Sequence, residues 1–282
     1  MDITLKSGEV SAKIVSKGAE LKSLAVGKRE LMWSADPAFW GKTSPLLFPM
    51  IGTLKDGKIT KHGFARDLEF TPEDFNGSSA MFSLTQNDYT KAMYPFDFKF
   101  TVRYTLKADG ITVTYRVRND SDAEMPFCIG AHPAFATPGD MNGYRLQFLR
   151  PETAAVPNYN LETGLHEEHN RRELMKDSTD LQLSHEMFYE DVCYFDKVTS
   201  RQVELLNSEN IGVRVDYPDF TSLGVWQAKD APFLCIEPWC GSADFDDCSG
   251  VFAEKRGIEI LAPGAEKTFT YAITAVEHKA KV

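Results

Sequence analysis

The chain has 282 residues and a formal charge of −10. With 43% hydrophobic and 12% aromatic residues it can bury an ordinary core, which excludes a disordered chain. The scattered acidic balance lacks the basic stripe that general nucleic-acid binding needs, and it offers no long-range steering to anionic substrates.

The opening residues, MDITLKSGEV, do not run from a basic region into an apolar one, so no signal peptide and a cytoplasmic location are expected. No apolar run approaches the ~20 residues that span a bilayer, so no membrane partner is expected. Residues 47–70, LFPMIGTLKDGKITKHGFARDLEF, start apolar, pass through a Gly- and Lys-rich turn and reach His62, Gly63 and Arg66. The glycine permits close approach of a backbone or a ligand. The arginine offers a planar fork of donors. In the plainer reading this is a surface loop, with Arg66 paired to Asp67 or Glu69.

Period-two alternation follows. In FKFTVRYTL, Phe98, Phe100, Val102, Tyr104 and Leu106 share one face. In ITVTYRVRN, Ile111, Val113, Tyr115 and Val117 do the same, and KADG joins the two runs into a hairpin. Next, CIGAHPAF at 128–135 ends an apolar run on His132, and Pro133 is expected to stop the strand. SHEMFYE at 184–190 predicts a helical turn with Ser184 as N-cap. IGVRVDY and EKTFTYAITAV repeat the alternation. Between them, FLCIEPWCG at 233–241 delivers Glu237 at the end of an apolar run, with Pro238 expected to stop that strand too.

A carboxylate in such a place is costly unless it is paired or has a task. Its plainer reading is a salt bridge to Arg66, as that of His132 is a satisfied core histidine. Trp239 offers an apolar plate for a sugar face, or is simply core. Many one-faced strands, frequent turns, scarce helix and no linker or repeat predict an all-β fold. The expected architecture is one domain over 1–282, a large antiparallel sandwich or barrel. The five cysteines include no CxxC pair, and Cys235, Cys240 and Cys248 match no common zinc spacing. Reduced, buried thiols are expected. Two imidazoles, His62 and His132, with Glu237 suffice for an acid–base pair and a helper, without metal or other cofactor. The same trio could form a facial metal triad, but no HxH or HExxH spacing supports one.

HGFAR at 62–66, GAHPAF at 130–135 and EPWCG at 237–241, in this order, resemble the aldose 1-epimerases (mutarotases). FWGKTSPLLFPMIGTLKDG at 39–57 resembles their LacX-like branch, and the likeness covers nearly the whole chain. It implies the galactose mutarotase-like β-supersandwich and an isomerase that interconverts the α and β anomers of a free aldohexose. The resemblance implies Glu237 as base and His132 as acid; these roles need Glu237 ionised and His132 protonated, and the nearby carboxylate is expected to favour the imidazolium. It implies His62 as the group that holds the sugar near C1 and the ring oxygen, and Arg66 as a binding residue. Lys55 stands where many members carry an arginine, and a further acidic binding residue has no clear match. The protein is expected to act as a monomer or homodimer. Two alternatives compete with the free-sugar enzyme. One is a hexose-6-phosphate mutarotase, for which WGKTSP lacks the expected arginines. The other is a non-catalytic sugar-binding module, which would use Trp226, Trp239 and the tyrosines. A glycosidase would normally need a second carboxylate.

Overall fold

Phe98–Leu106 and Gly110–Asn119 form the expected hairpin, and the alternating apolar residues of both are the buried ones. The computed structural model describes residues 1–55 and 61–279. The Gly- and Lys-rich turn expected after Leu54 lies partly outside these residues. The hairpin sits in a nine-stranded antiparallel sheet that also contains Ile211–Asp216 and Glu266–Glu277. Among the described residues the only α-helix is Asp88–Met93, closed by a reciprocal Asn87–Thr90 capping box. The 184–190 segment makes a 3-10 turn over His185–Phe188, but Ser184 gives it no side-chain cap. No helix among the described residues is long and apolar enough to cross a membrane.

A second sheet contains Leu46–Leu47, Ile129–Ala131, Ala134–Ala136, Cys193–Phe195, Ser222–Trp226 and Phe233–Cys240. Its two faces follow from the two-residue side-chain repeat. Leu46, Ile129, Ala131, Leu223, Val225, Leu234 and Ile236 join the main core, with Phe48, Phe100, Tyr115 and Phe269. The opposite face carries Leu47, Tyr194, Trp239 and Cys235 in two smaller apolar clusters. Both faces are therefore covered, which explains why these strands read as continuous apolar runs while the hairpin alternates. By the same repeat, His132 and Glu237 fall on the face turned away from the main core.

The strand before Pro133 ends at Ala131, as expected, whereas Pro238 does not stop its strand. Phe233–Cys240 runs through Pro238, which pairs with Leu223. The strand broken at His132–Pro133 resumes at Ala134, and the register against Phe233–Cys240 is the same on both sides of the break. His132 therefore stands opposite Glu237, and Pro133 opposite Ile236. The Ile236 N–H still donates to the Pro133 carbonyl at 3.1 Å. Each proline removes one ladder bond on either side of the His132–Glu237 pair, and the rest of the ladder holds the frame.

Candidate active site

His132 and Glu237 occupy a non-hydrogen-bonded position of the antiparallel ladder, where opposed side chains approach most closely. His132 Nε2 lies 3.2 Å from Glu237 Oε2, and the two side chains are 7% and 1% exposed. Trp40 stacks on the imidazole with centroids 5.0 Å apart, and Trp226 meets it edge-on at 5.7 Å. Among the described residues, His132 Nδ1 is buried without a hydrogen-bond partner, and Glu237 Oε2 makes no hydrogen bond beyond its contact with His132. The salt bridge to Arg66 expected in the plainer reading does not form. The ion contact of Glu237 is with His132.

Burial pushes the His132 pKa down to about 3, helped by Arg66, Lys61 and Lys42. Burial and Asp191 hold the Glu237 carboxyl well above the usual carboxylate range. Both shifts run against the expected pair of ionised Glu237 and protonated His132: they favour the neutral arrangement, with the proton on Glu237. The expectation rested on mutual attraction of opposite charges, whereas desolvation acts against both charged forms.

His62 and Gly63 both adopt left-handed backbone conformations, φ 67° and 73°. A Cβ on Gly63 would lie 2.2 Å from the Phe48 carbonyl oxygen, so only glycine fits behind His62. The His62 N–H donates to the Gly52 carbonyl at 3.0 Å, and the Gly52 N–H donates to His62 Nδ1 at 3.1 Å. That second bond leaves the ring proton on Nε2. Burial and the nearby His132, Arg66 and Lys61 hold the ring well below the ordinary histidine pKa, in its neutral form. The His62 and His132 rings meet edge to face at 5.7 Å.

All three residues line one cavity of about 300 Å³, within the range of small-molecule sites. Arg66, on the 3-10 turn Ala65–Asp67, also lines it, while its Nε sits 3.5 Å from Asp67 Oδ2. Trp226 and Trp239 complete the apolar wall. Trp239 lies over two glycines: a Cβ on Gly130 or Gly224 would come within 2.7 Å of its indole.

Lys55 is corrected. It is exposed, is not part of the lining, and its backbone N–H donates to Asp244 Oδ2 at 3.0 Å. Among the described residues the lysine on the wall is Lys61, 3.7 Å from Asp191, which supplies an acidic side chain there. Sequence reasoning also passed over Trp40, Tyr159 and His166, which the cavity walls include. None stands in an apolar-run-to-proline context. The loops that carry Trp40, Lys61 and Asp191 have no periodicity to mark them.

For a cation, the closest donor set among the described residues is His132, Cys235 and Glu237, whose ligand atoms lie within 4.8 Å of one another. This is not the His62, His132, Glu237 triad weighed from the sequence. All five thiols are free, and Cys248 alone is not fully buried.

Two histidines and one buried glutamate thus meet in one cleft of an antiparallel β-sandwich. The aldose 1-epimerase family matches residues 1–274, and the chain belongs to that family. It is 31% identical to the chromosomal LacX protein of Lactococcus lactis, over 97% of this chain and 99% of that one. A galactose mutarotase related enzyme from Lactobacillus acidophilus superposes with a TM-score of 0.92 at 30% identity, covering 100% of this chain and 99% of that one. A galactose mutarotase-like protein from Lactobacillus casei gives 0.89 at 26%, covering 98% of this chain and 100% of that one. The fold is the galactose mutarotase-like one that the sequence resemblance implied.

Proposed function

We propose that this protein is a mutarotase that interconverts the α and β anomers of a free aldohexose. The observation that carries the reading is the 3.2 Å contact of His132 and Glu237 beside His62 in one cavity. Ring opening needs one proton taken from the C1 hydroxyl and one given to the ring oxygen. Glu237, as carboxylate, takes the hydroxyl proton. The C1–O5 bond breaks with its electron pair going to O5, C1 becomes a carbonyl, and the His132 imidazolium protonates O5. The aldehyde rotates about C1–C2, and ring closure on the other face reverses both transfers.

The pair holds one proton throughout. Its neutral resting form differs from the working ion pair only in which partner carries that proton. Sugar hydroxyls entering the cavity add polar partners for Glu237 Oε2 beyond His132, which favours the charged arrangement. His62, neutral with its proton on Nε2, donates to the oxygens at C1 as their charge changes. Arg66, Lys61 and Asp191 bind hydroxyls, and Trp40, Trp226 and Trp239 offer apolar plates to the sugar faces. Among the described residues each wall cation already faces a carboxylate, Lys61 with Asp191 and Arg66 with Asp67, which favours an uncharged sugar over a 6-phosphate.

The test is polarimetry or exchange NMR on fresh α-glucose, α-galactose and glucose 6-phosphate, with and without protein. Faster anomer exchange of a free hexose is the expected result. Sugar-induced tryptophan fluorescence changes without faster exchange would make the protein a binding module, and faster exchange of the 6-phosphate alone would make it a phosphosugar mutarotase.

A further inference from the structure

Cys235 has no part in the proton transfers, yet it shares a strand face with Glu237. The two-residue repeat of Phe233–Cys240 puts both side chains on the face that carries His132. One ligand atom from each of the three lies within 4.8 Å of the other two, and the His132–Glu237 edge of this triangle is 3.2 Å. Two ligands of one tetrahedral zinc lie roughly 3–4 Å apart, given bonds of ~2.0–2.3 Å. Beyond the 3.2 Å contact with His132, Glu237 Oε2 is buried and makes no hydrogen bond among the described residues.

We infer that His132, Cys235 and Glu237 form a site for zinc or another soft divalent cation, and that filling it inhibits the enzyme. A thiolate, an imidazole and a carboxylate make a donor set for zinc. Magnesium and calcium demand oxygen ligands. Binding displaces one proton from the Cys235 thiol and one from the Glu237 carboxyl, both released to solvent. The two resulting negative charges meet the two positive charges of the ion. Three protein ligands leave a fourth position for water on the cavity side. The ion then holds both groups whose proton must move, so anomerisation stops. The inhibition, unlike the binding, rests on the function proposed above.

Absorption spectroscopy with Co²⁺ as the probe tests the site on purified, reduced protein. The expected result is a 1:1 titration with tetrahedral visible bands and a thiolate-to-metal charge-transfer band in the near ultraviolet. Cys235→Ser should lose the charge-transfer band and weaken Zn²⁺ binding, measured by competition, at least ~10-fold. Cys235→Ala serves if the serine hydroxyl destabilises the apolar surroundings. Cys248→Ser, which alters the one thiol not fully buried, should keep the band. In activity assays Zn²⁺ should inhibit, EDTA should restore, and Mg²⁺ should do nothing. A charge-transfer band that survives both Cys235 variants overturns the site. Activity lost to EDTA and regained with Zn²⁺ overturns the inhibitory role. If the wild type anomerises no sugar, the Co²⁺ spectra still decide the site, because they need no turnover.

Discussion

His132 and Glu237 face each other across an antiparallel ladder at the one position flanked by two prolines, Pro133 on one strand and Pro238 on the other. The prolines remove ladder bonds beside the pair and leave its register untouched, so the two side chains meet at 3.2 Å over the cavity. The consequences for proton inventory come first. Below the His132 pKa, at about 3, the pair holds two protons, and above the raised Glu237 pKa it holds none. The rate should therefore fall on the acid side only near the depressed His132 pKa and on the alkaline side only near the raised Glu237 pKa, with limbs that belong to the pair. An acid limb centred near pH 6.5 in a pH–rate profile would contradict the burial argument.

Glu237→Gln keeps the shape and removes the exchangeable proton. It should lower kcat by ~10²-fold or more while sugar still binds, and His132→Asn should act alike. Wild-type kcat in the folded Gln variant would return Glu237 to a structural role.

The same variant reports linkage. Glu237 has a raised pKa in the folded state, so above the unfolded value the folded protein binds more protons than the unfolded chain. Its contribution to stability is then lost as pH rises through the folded pKa. Gln carries no such dependence. The Tm of Glu237→Gln relative to wild type should increase from pH 4 to pH 8. A difference that is constant with pH would mean the carboxyl titrates normally.

Lys61 and Lys55 separate the wall from its surroundings. Lys61→Ala should raise KM with little change in kcat, as loss of a binding contact does. Lys55→Ala should leave both parameters unchanged, because its side chain is exposed and outside the lining. Steady-state kinetics on the two variants checks the assignment, and the reverse pattern would restore Lys55.

His166 is fully buried between Tyr194, stacked at 5.0 Å, and Phe245 at 5.1 Å, and both its ring nitrogens lack partners among the described residues. A buried unsatisfied polar group costs ~1–3 kcal/mol. His166→Phe keeps a ring in the stack and removes the nitrogens, so it should leave Tm unchanged or raise it. A clear fall in thermal unfolding temperature would show that those nitrogens are satisfied by water.

Local periodicity alone determined much of this protein. The buried faces of 98–106 and 110–119 follow from alternation. Ionisable residues inside the apolar runs at 132 and 237 are visible without any neighbour, because an unexplained charge in such a run is costly wherever it folds. The resemblance of HGFAR to a known motif located His62 and Arg66, and the His62 turn rests on a glycine that can be read directly. Pro238 misled, because a proline forbids one ladder bond, and whether a strand survives that depends on the partners along the rest of its edge. The register that sets His132 opposite Glu237 is a relationship between residues more than a hundred positions apart. Lys61, Asp191 and Trp40 reach the cavity on loops whose course long-range packing decides, and no pattern marks them. The protonation of the pair was also beyond the sequence. Charge attraction can be guessed from two residue types, but desolvation depends on what covers them, and here Trp40 and Trp226 close over the imidazole and burial disfavours the charged form of both partners.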